Sequence, residues 1–197
     1  AKIYKVIYVY SKEIINESRL NLVDRKVILN QYSNNLTIEN YDNIVLFESF
    51  RIEKHNYDEL KKLALQSGKY SRFKYDINFV NNEYENLYLR WIENSVNQES
   101  TLDIIIAILD SKIVGFVTLN KKTKILTDIG LVAVSSEVRG LGLGKRLIQE
   151  AILRSNKLGF KQIQVVTQLE NMAAMNLYKS TNFKIKEITN IYHLWNQ

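Results

Sequence analysis

The chain has 197 residues, of which 46% are hydrophobic and 24% are charged, enough to bury one globular core and a small additional lobe. It contains no Cys, which excludes disulfides, metal thiolates and a secreted disulfide-rich fold. The formal net charge of +6 suits anionic small-molecule partners, although an ordinary soluble surface explains it equally well.

The first 40 residues are predicted to form a small N-terminal lobe. Segments 2–9 and 22–29 alternate apolar and polar residues, as half-buried strands do. A polar run over 31–35 separates this lobe from a main domain over residues 41–197. Because the sequence starts at Ala1 instead of Met, we expect the lobe to be incomplete.

The main domain is predicted to contain both strands and helices. Apolar residues spaced by three and four predict helices over 57–65 and 83–96, and short apolar or alternating runs predict strands. Two further helices are predicted to begin near residues 143 and 171. The predicted strands cover 44–52, 103–109, 113–119, 129–134, 161–168 and 183–195.

A glycine-rich loop, residues 139–145, lies between a predicted strand and a predicted helix. Such a loop directs free backbone N–H groups and the positive end of the helix dipole at one small region, so it predicts an anion site. The dinucleotide pattern G-x-G-x-x-G does not fit, because Gly144 comes one position early. The Walker pattern does not fit either, because Arg146 follows Lys145 where Ser or Thr is required.

The spacing Arg139-x-x-Gly142-x-Gly144 instead resembles the coenzyme A pyrophosphate loop of the GCN5-related N-acetyltransferase (GNAT) family. The order of the predicted elements is also the order found in that family.

A second match to the family follows the next predicted strand. Asn171, Ala174 and the pair Leu177-Tyr178 fill the family positions, and Asn182-Phe183 stands where the family has Gly-Phe. This departure is mild, because Asn also adopts the left-handed conformation that ends a helix. Residues 171, 174 and 178 would share one helical face.

The resemblance implies an α/β (α+β) architecture, a mixed twisted sheet with splayed central strands and flanking helices, plus the N-terminal lobe. It implies acetyl-CoA as cosubstrate and no metal. Strand residues 131–134 would offer backbone N–H groups to the thioester and the pantetheine arm. The implied cofactor-binding residues are Leu131, Val132, Ala133, Val134, Arg139, Gly140, Leu141, Gly142, Leu143, Gly144, Lys145, Asn171, Ala174 and Tyr178.

Motifs in the middle of the chain narrow the resemblance. Ser71-Arg72-Phe73, the Trp-Ile-Glu-Asn run at 91–94 and residues 192–195 are similar to the TDP-fucosamine acetyltransferase branch. That branch acetylates the 4-amino group of a nucleotide-linked 4-amino-4,6-dideoxyhexose used in surface glycans. Arg72 and Phe73 are then implied to contact the sugar or its diphosphate. A structural ion pair of Arg72 with Asp76 or Glu83 is the alternative.

The family chemistry also implies two catalytic residues. Tyr178 would be the general acid that protonates the coenzyme thiolate; because the chain has 12 tyrosines, a packing role is the alternative. Asp24 would accept the proton of the attacking amine, and a surface Asp at the start of a strand is the alternative.

Several other residues are predicted to have no direct role in catalysis. The helical spacing of Leu89, Trp91 and Ile92 predicts core positions. His55 and His193 have no second ligand at metal-binding spacing, so neither is assigned to catalysis or to a metal.

Two other functions are also compatible with the sequence. An acetyltransferase for a protein N-terminus, a lysine or a polyamine, and a non-catalytic acyl-CoA-binding regulator, both stay open. No apolar run reaches the roughly 20 residues of a membrane span, and the densest basic cluster, 121–124, is predicted to be a hairpin tip. We therefore predict a cytoplasmic protein with a small-molecule nucleotide-sugar substrate, no nucleic acid and no membrane insertion. A homodimer, the sugar stereochemistry, the choice of TDP or UDP and the acyl length stay open.

Overall fold

The computed structural model describes residues 4–33, 45–97 and 100–196. The predicted division near residue 40 lies outside the described residues. The elements, in chain order, are β1 (Val6–Ser11), β2 (Asn21–Tyr32), β3 (Leu46–Ser49), α1 (Tyr57–Ser67), α2 (Arg72–Tyr75), α3 (Glu83–Asn97), β4 (Thr101–Leu109), β5 (Lys112–Lys121), β6 (Leu126–Val134), α4 (Leu143–Lys157), β7 (Gln162–Gln168), α5 (Met172–Ser180) and β8 (Lys184–Trp195).

Within the described residues, eight strands form one mixed sheet in the order β1-β8-β2-β7-β6-β5-β4-β3. All neighbouring strands are antiparallel except β6 and β7. Strands β1 and β2, both from the first 40 residues, pair with β8 and β7. The mixed α/β architecture predicted from the sequence is confirmed.

The central parallel pair is splayed. β6 and β7 pair only from Leu126 opposite Gln162 to Ile129 opposite Val165, although both strands continue beyond these residues. Because side-by-side strands lie about 4.8 Å apart only where they hydrogen-bond, the unpaired ends of β6 and β7 leave a gap in the sheet.

Helices cover both faces of the sheet. On one face, Leu147, Ile148 and Ile152 of α4 pack with Met175 of α5 in a core that includes residues of β2, β5 and β7. On the other face, residues of α1 and α3 such as Leu60 and Ile92 pack on β4, β5 and β6. The splayed region of the sheet is therefore flanked by helices on both faces.

The ends of the helices follow the local sequence. The Asn171 side chain accepts a hydrogen bond from the Ala174 N–H at 3.1 Å and caps α5. Asn182, just after this helix, has a φ of 68°, so the predicted replacement of glycine by asparagine in the left-handed conformation is confirmed. None of the helices in the described part of the chain is long and apolar enough to span a membrane.

Candidate active site

A cavity of about 890 Å³ lies at the splay between β6 and β7. A donor side, made by the glycine-rich loop, β6 and α5, and an acceptor side, made by β2, α2 and α3, both contribute to its wall. All the residues that the sequence predicted as site residues line this cavity except Leu141, whose side chain is exposed.

The glycine-rich loop has the geometry of an anion site. Gly142 has a φ of 73° and immediately precedes α4, and as the N-cap residue it makes no side-chain capping hydrogen bond. The first N–H groups of α4 have no partner within the helix, and the helix dipole makes their end positive. Gly144 faces Leu177 of α5, since a Cβ there would lie 3.5 Å from the leucine. The glycine-rich loop and the N-terminus of α4 together have the geometry that binds a pyrophosphate group.

A β-bulge decides which N–H groups of β6 face the gap. Gly130 and Leu131 together lie opposite Thr118 of β5, and the Leu131 N–H donates to the Thr118 hydroxyl at 2.8 Å. The Ser135 N–H likewise points to β5, where it donates to the Val114 carbonyl.

Because N–H directions alternate along a strand, the N–H groups of Val132 and Val134 point into the gap. The prediction that residues 131–134 all present free N–H groups was therefore wrong for Leu131, whose N–H is already bonded, and for Ala133, which points toward β5. A bulge reverses the alternation, and only the gap-facing pair can hold a thioester arm.

Tyr178 lies on the donor side, two turns along α5 from the cap residue Asn171 and, by this spacing, on the same helical face. Its side chain is only 3% exposed, and its ring packs 5.9 Å from that of Phe183. Burial raises the pKa of the Tyr178 phenol above its usual value of 10.0, so the group stays protonated at neutral pH and has a proton to give.

Asp24 and Arg72 face each other on the acceptor side. Asp24 is buried, with 4% of its side chain exposed, and its Oδ2 lies 3.7 Å from Arg72 Nη1. Burial raises the pKa of Asp24 to about 6, an effect that Arg72 partly opposes. The alternative of a surface Asp24 is thus wrong. Among the described residues Arg72 pairs with Asp24, so its alternative pairing with Asp76 or Glu83 is also wrong.

A buried anchor holds α2, the short helix that carries Arg72. Asp76, which follows α2, accepts hydrogen bonds from His193 Nδ1 at 2.5 Å and from Trp195 Nε1 at 2.9 Å, and its N–H donates to the Arg72 carbonyl at 2.9 Å. The Arg72 guanidinium lies over the Phe73 ring, 4.6 Å from its centroid. His193, to which the sequence assigned no role, therefore helps to fix the acceptor wall.

The sequence prediction missed several cavity residues, among them Trp91 and Asp128. Trp91 was predicted to be core, but it is 38% exposed and lines the cavity; Ile92 next to it is buried as predicted. Asp128 of β6 also lines the cavity. The sequence signal for Asp128 was a charged residue inside an apolar strand, because charged side chains are seldom buried unless they have a partner.

No group of three or more His, Asp and Glu side chains that could hold a metal was found within 4–33, 45–97 and 100–196.

The fold and the cavity define the class of this protein: a splayed-sheet α/β domain of the acetyltransferase type. The chain matches the Acetyltransferase (GNAT) family over residues 69–183, more than half of its length, and belongs to that family.

Two named proteins are similar to this chain over part of their length. N-alpha-acetyltransferase 30 of Saccharomyces cerevisiae is 40% identical over 55 residues, which is 28% of this chain and 31% of the yeast protein. Spore coat polysaccharide biosynthesis protein SpsD of Bacillus subtilis is 23% identical over 150 residues, which is 76% of this chain and 51% of SpsD. The matched segments thus span from about a third to half of these relatives.

Solved structures share the fold at low sequence identity. A protein from Staphylococcus epidermidis, described as functionally unknown, has a TM-score of 0.69 at 13% identity, over 98% of this chain and 73% of that chain. A GNAT family acetyltransferase from Elizabethkingia anophelis, solved with acetyl-CoA bound, has a TM-score of 0.55 at 13% identity, over 79% of this chain and 100% of that chain.

Proposed function

We propose that the protein is an acetyl-CoA-dependent N-acetyltransferase for the amino group of a nucleotide-linked 4-amino-4,6-dideoxy sugar, acting in the cytoplasm in surface-glycan synthesis. The observation that carries this proposal is that one cavity has the glycine-rich loop on one side and the Asp24–Arg72 pair on the other. The partial similarity to SpsD, a polysaccharide biosynthesis protein, supports a sugar acceptor.

The donor side accounts for binding of acetyl-CoA. Arg139 and the N–H groups at the start of α4 would hold the pyrophosphate, and the gap-facing N–H groups of Val132 and Val134 would bind the pantetheine arm and the thioester carbonyl. Donors fixed in this way stabilise negative charge that develops on the carbonyl oxygen.

The acceptor side and Tyr178 account for the proton transfers. As the amine nitrogen forms its bond to the acetyl carbon and the carbon–sulfur bond breaks, the amine proton passes to the Asp24 carboxylate, directly or through water. Tyr178 gives its phenolic proton to the departing thiolate. A carboxylate with a pKa of about 6 is ionised at neutral pH, yet is basic enough to accept a proton there.

Acetylation of a protein N-terminus is a second candidate, because N-alpha-acetyltransferase 30 shares 40% identity over 55 residues. The charges of the cavity away from the glycine-rich loop weigh against a lysine or polyamine: Lys26, Lys69 and Arg72 outnumber Asp24 and Asp128 there. A cationic acceptor would meet net repulsion.

The proposal is tested by measuring thiol release from acetyl-CoA with TDP- and UDP-linked 4-amino-4,6-dideoxyhexoses, with N-terminal peptides, a lysine peptide and spermidine as competing acceptors. We expect turnover with a nucleotide sugar alone. Turnover confined to a peptide would select the second candidate, and acetyl-CoA binding without turnover of any acceptor would favour a non-catalytic regulator.

The ionisation of Asp24 predicts a specific pH profile. Because the pKa of Asp24 is raised to about 6, its carboxylate is present above pH 6 and is lost as the pH falls through 6. The amine acceptor also becomes protonated on the acid side. We expect log(kcat/KM) for the acceptor to fall with a slope of about two below pH 6 in the wild type and of about one in Asp24→Asn.

Glu170→Gln is the matched control for this profile. The Glu170 carboxylate raises the pKa of Asp24. Removing the Glu170 charge should therefore keep the fall in activity that is caused by protonation of Asp24 but shift it to lower pH. An identical profile in the wild type and in Asp24→Asn would remove Asp24 from proton transfer.

A further inference from the structure

The acceptor side of the cavity continues along β7 as a trough. Lys26 of β2 pairs with Gln168 of β7, and Asp128 of β6 pairs with Gln164 at the other end of the same strand. The side chains of residues 164, 166 and 168 lie on the same face of β7. The ends of the trough, at Gln168 and at Gln164, are therefore four residues, or roughly 13 Å, apart. Asp24 lies at the first end and Asp128 at the second, too far apart to act on the same atom.

The Asp128 carboxylate is held in place and keeps one oxygen free. Its Oδ1 accepts a hydrogen bond from Gln164 Nε2 at 2.6 Å and lies 3.9 Å from Lys122 Nζ. Within the described residues no hydrogen bond or ion pair uses its Oδ2. Burial raises the pKa of Asp128, which a substrate N–H donor to the carboxylate would offset.

Flat apolar surface borders the same end of the trough. The Trp91 side chain is 38% exposed, as is Val166 in the middle of β7, and both line the cavity. Trp91 Nε1 lies 3.5 Å from where a Cβ at Gly130 would be, and that Cβ would also clash with Asn120 Nδ2 at 2.6 Å. The glycine therefore leaves room for the side chains of Asn120 and Thr118, and the indole lies beside them at ordinary contact distance from β6.

We propose that this end of the trough binds the nucleobase of the acceptor: Trp91 stacks on the base, Val166 forms the apolar floor, and Asp128 Oδ2 accepts a hydrogen bond from an N–H of the base. The inference rests on the proposed function and assigns the nucleotide half of its substrate. Lys26 lies at the Asp24 end of the trough, opposite Gln168, from which its long side chain would reach the diphosphate.

The test measures binding of TDP, UDP, GDP and inorganic pyrophosphate by calorimetry and tryptophan fluorescence, with CoA present at saturation so that the donor site is blocked. We expect the nucleoside diphosphates to bind the wild type, and Trp91→Ala to weaken them by about 10- to 100-fold. Trp91→Phe, which keeps an aromatic face, should restore most of the affinity. Asp128→Asn should change the preference among the three bases.

Pyrophosphate and acetyl-CoA binding are the controls, and neither should change in these variants, because neither ligand would reach Trp91 or Asp128. Equal weakening of TDP and pyrophosphate, or no weakening by Trp91→Ala, would overturn the inference. If nucleotide sugars are acetylated with an unchanged KM in Trp91→Ala, the inference fails while the proposed function stands. If no nucleotide sugar is acetylated and no nucleoside diphosphate binds, both fail.

Discussion

Tyr178→Phe is expected to lower kcat by about 10²- to 10⁴-fold, the usual contribution of a positioned acid or base, while the Kd for acetyl-CoA stays the same. The substitution removes only the hydroxyl, so the ring contact with Phe183 and the packing of α5 are kept. Without the phenolic proton, the thiolate must depart as an anion from a buried site. Thiol release at saturating substrates measures kcat, and calorimetry measures binding of acetyl-CoA.

Tyr192→Phe is the matched control for Tyr178→Phe. Tyr192 is equally buried, but its hydroxyl accepts a hydrogen bond from the Ile15 N–H at 2.8 Å and it does not line the cavity. This variant should lose some stability, about 1 kcal/mol for one hydrogen bond, and keep its kcat. A kcat for Tyr178→Phe within twofold of the wild type would leave Tyr178 with a packing role only.

Gly142→Asp is expected to weaken acetyl-CoA binding by about 100-fold relative to Gly142→Asn. Gly142 has a φ of 73°, and Asn and Asp both tolerate this left-handed conformation. The two variants therefore share shape and backbone cost and differ in one negative charge beside the start of α4. Repulsion between that charge and a pyrophosphate is worth about 3 kcal/mol at an effective dielectric constant near 20.

Calorimetric titration of acetyl-CoA into both variants, without any acceptor, measures this difference. The repulsion should shrink as salt is added, because the loop is near the surface and exposed charges are screened. Equal affinities of the two variants at low salt would mean that the pyrophosphate binds elsewhere than at the start of α4.

The donor side could be predicted because its signals are local in sequence. The loop at 139–145, the cap Asn171 and the helical face that ends at Tyr178 each follow from a few neighbouring residues, and the structure places them together at the cavity. Their catalytic and binding roles stay predictions. The bulge at Gly130 was the exception, although a glycine inside an apolar strand is its usual sign.

The acceptor side could not be predicted in the same way, because its contacts join distant parts of the chain. Asp76 and His193 are 117 residues apart, and neither residue carries a local pattern that indicates the other. Trp91 was assigned to the core because its helical spacing places it in the apolar stripe of α3. That stripe is wide, and a residue at its edge can face either the core or a cavity. Only the positions of β6 and β7 decide between them.

The anchor around Asp76 has a consequence for the order of folding. Hydrogen bonds from the last strand to Asp76 close a loop of more than 100 residues, and contacts of such long range form late because loop closure costs entropy first. The helices of the donor side, α4 and α5, pack in a core whose residues all precede β8 in the chain. During synthesis on the ribosome, the donor side can therefore form first. The acceptor side of the cavity is complete only after residue 195 has emerged, because Trp195 bonds to Asp76.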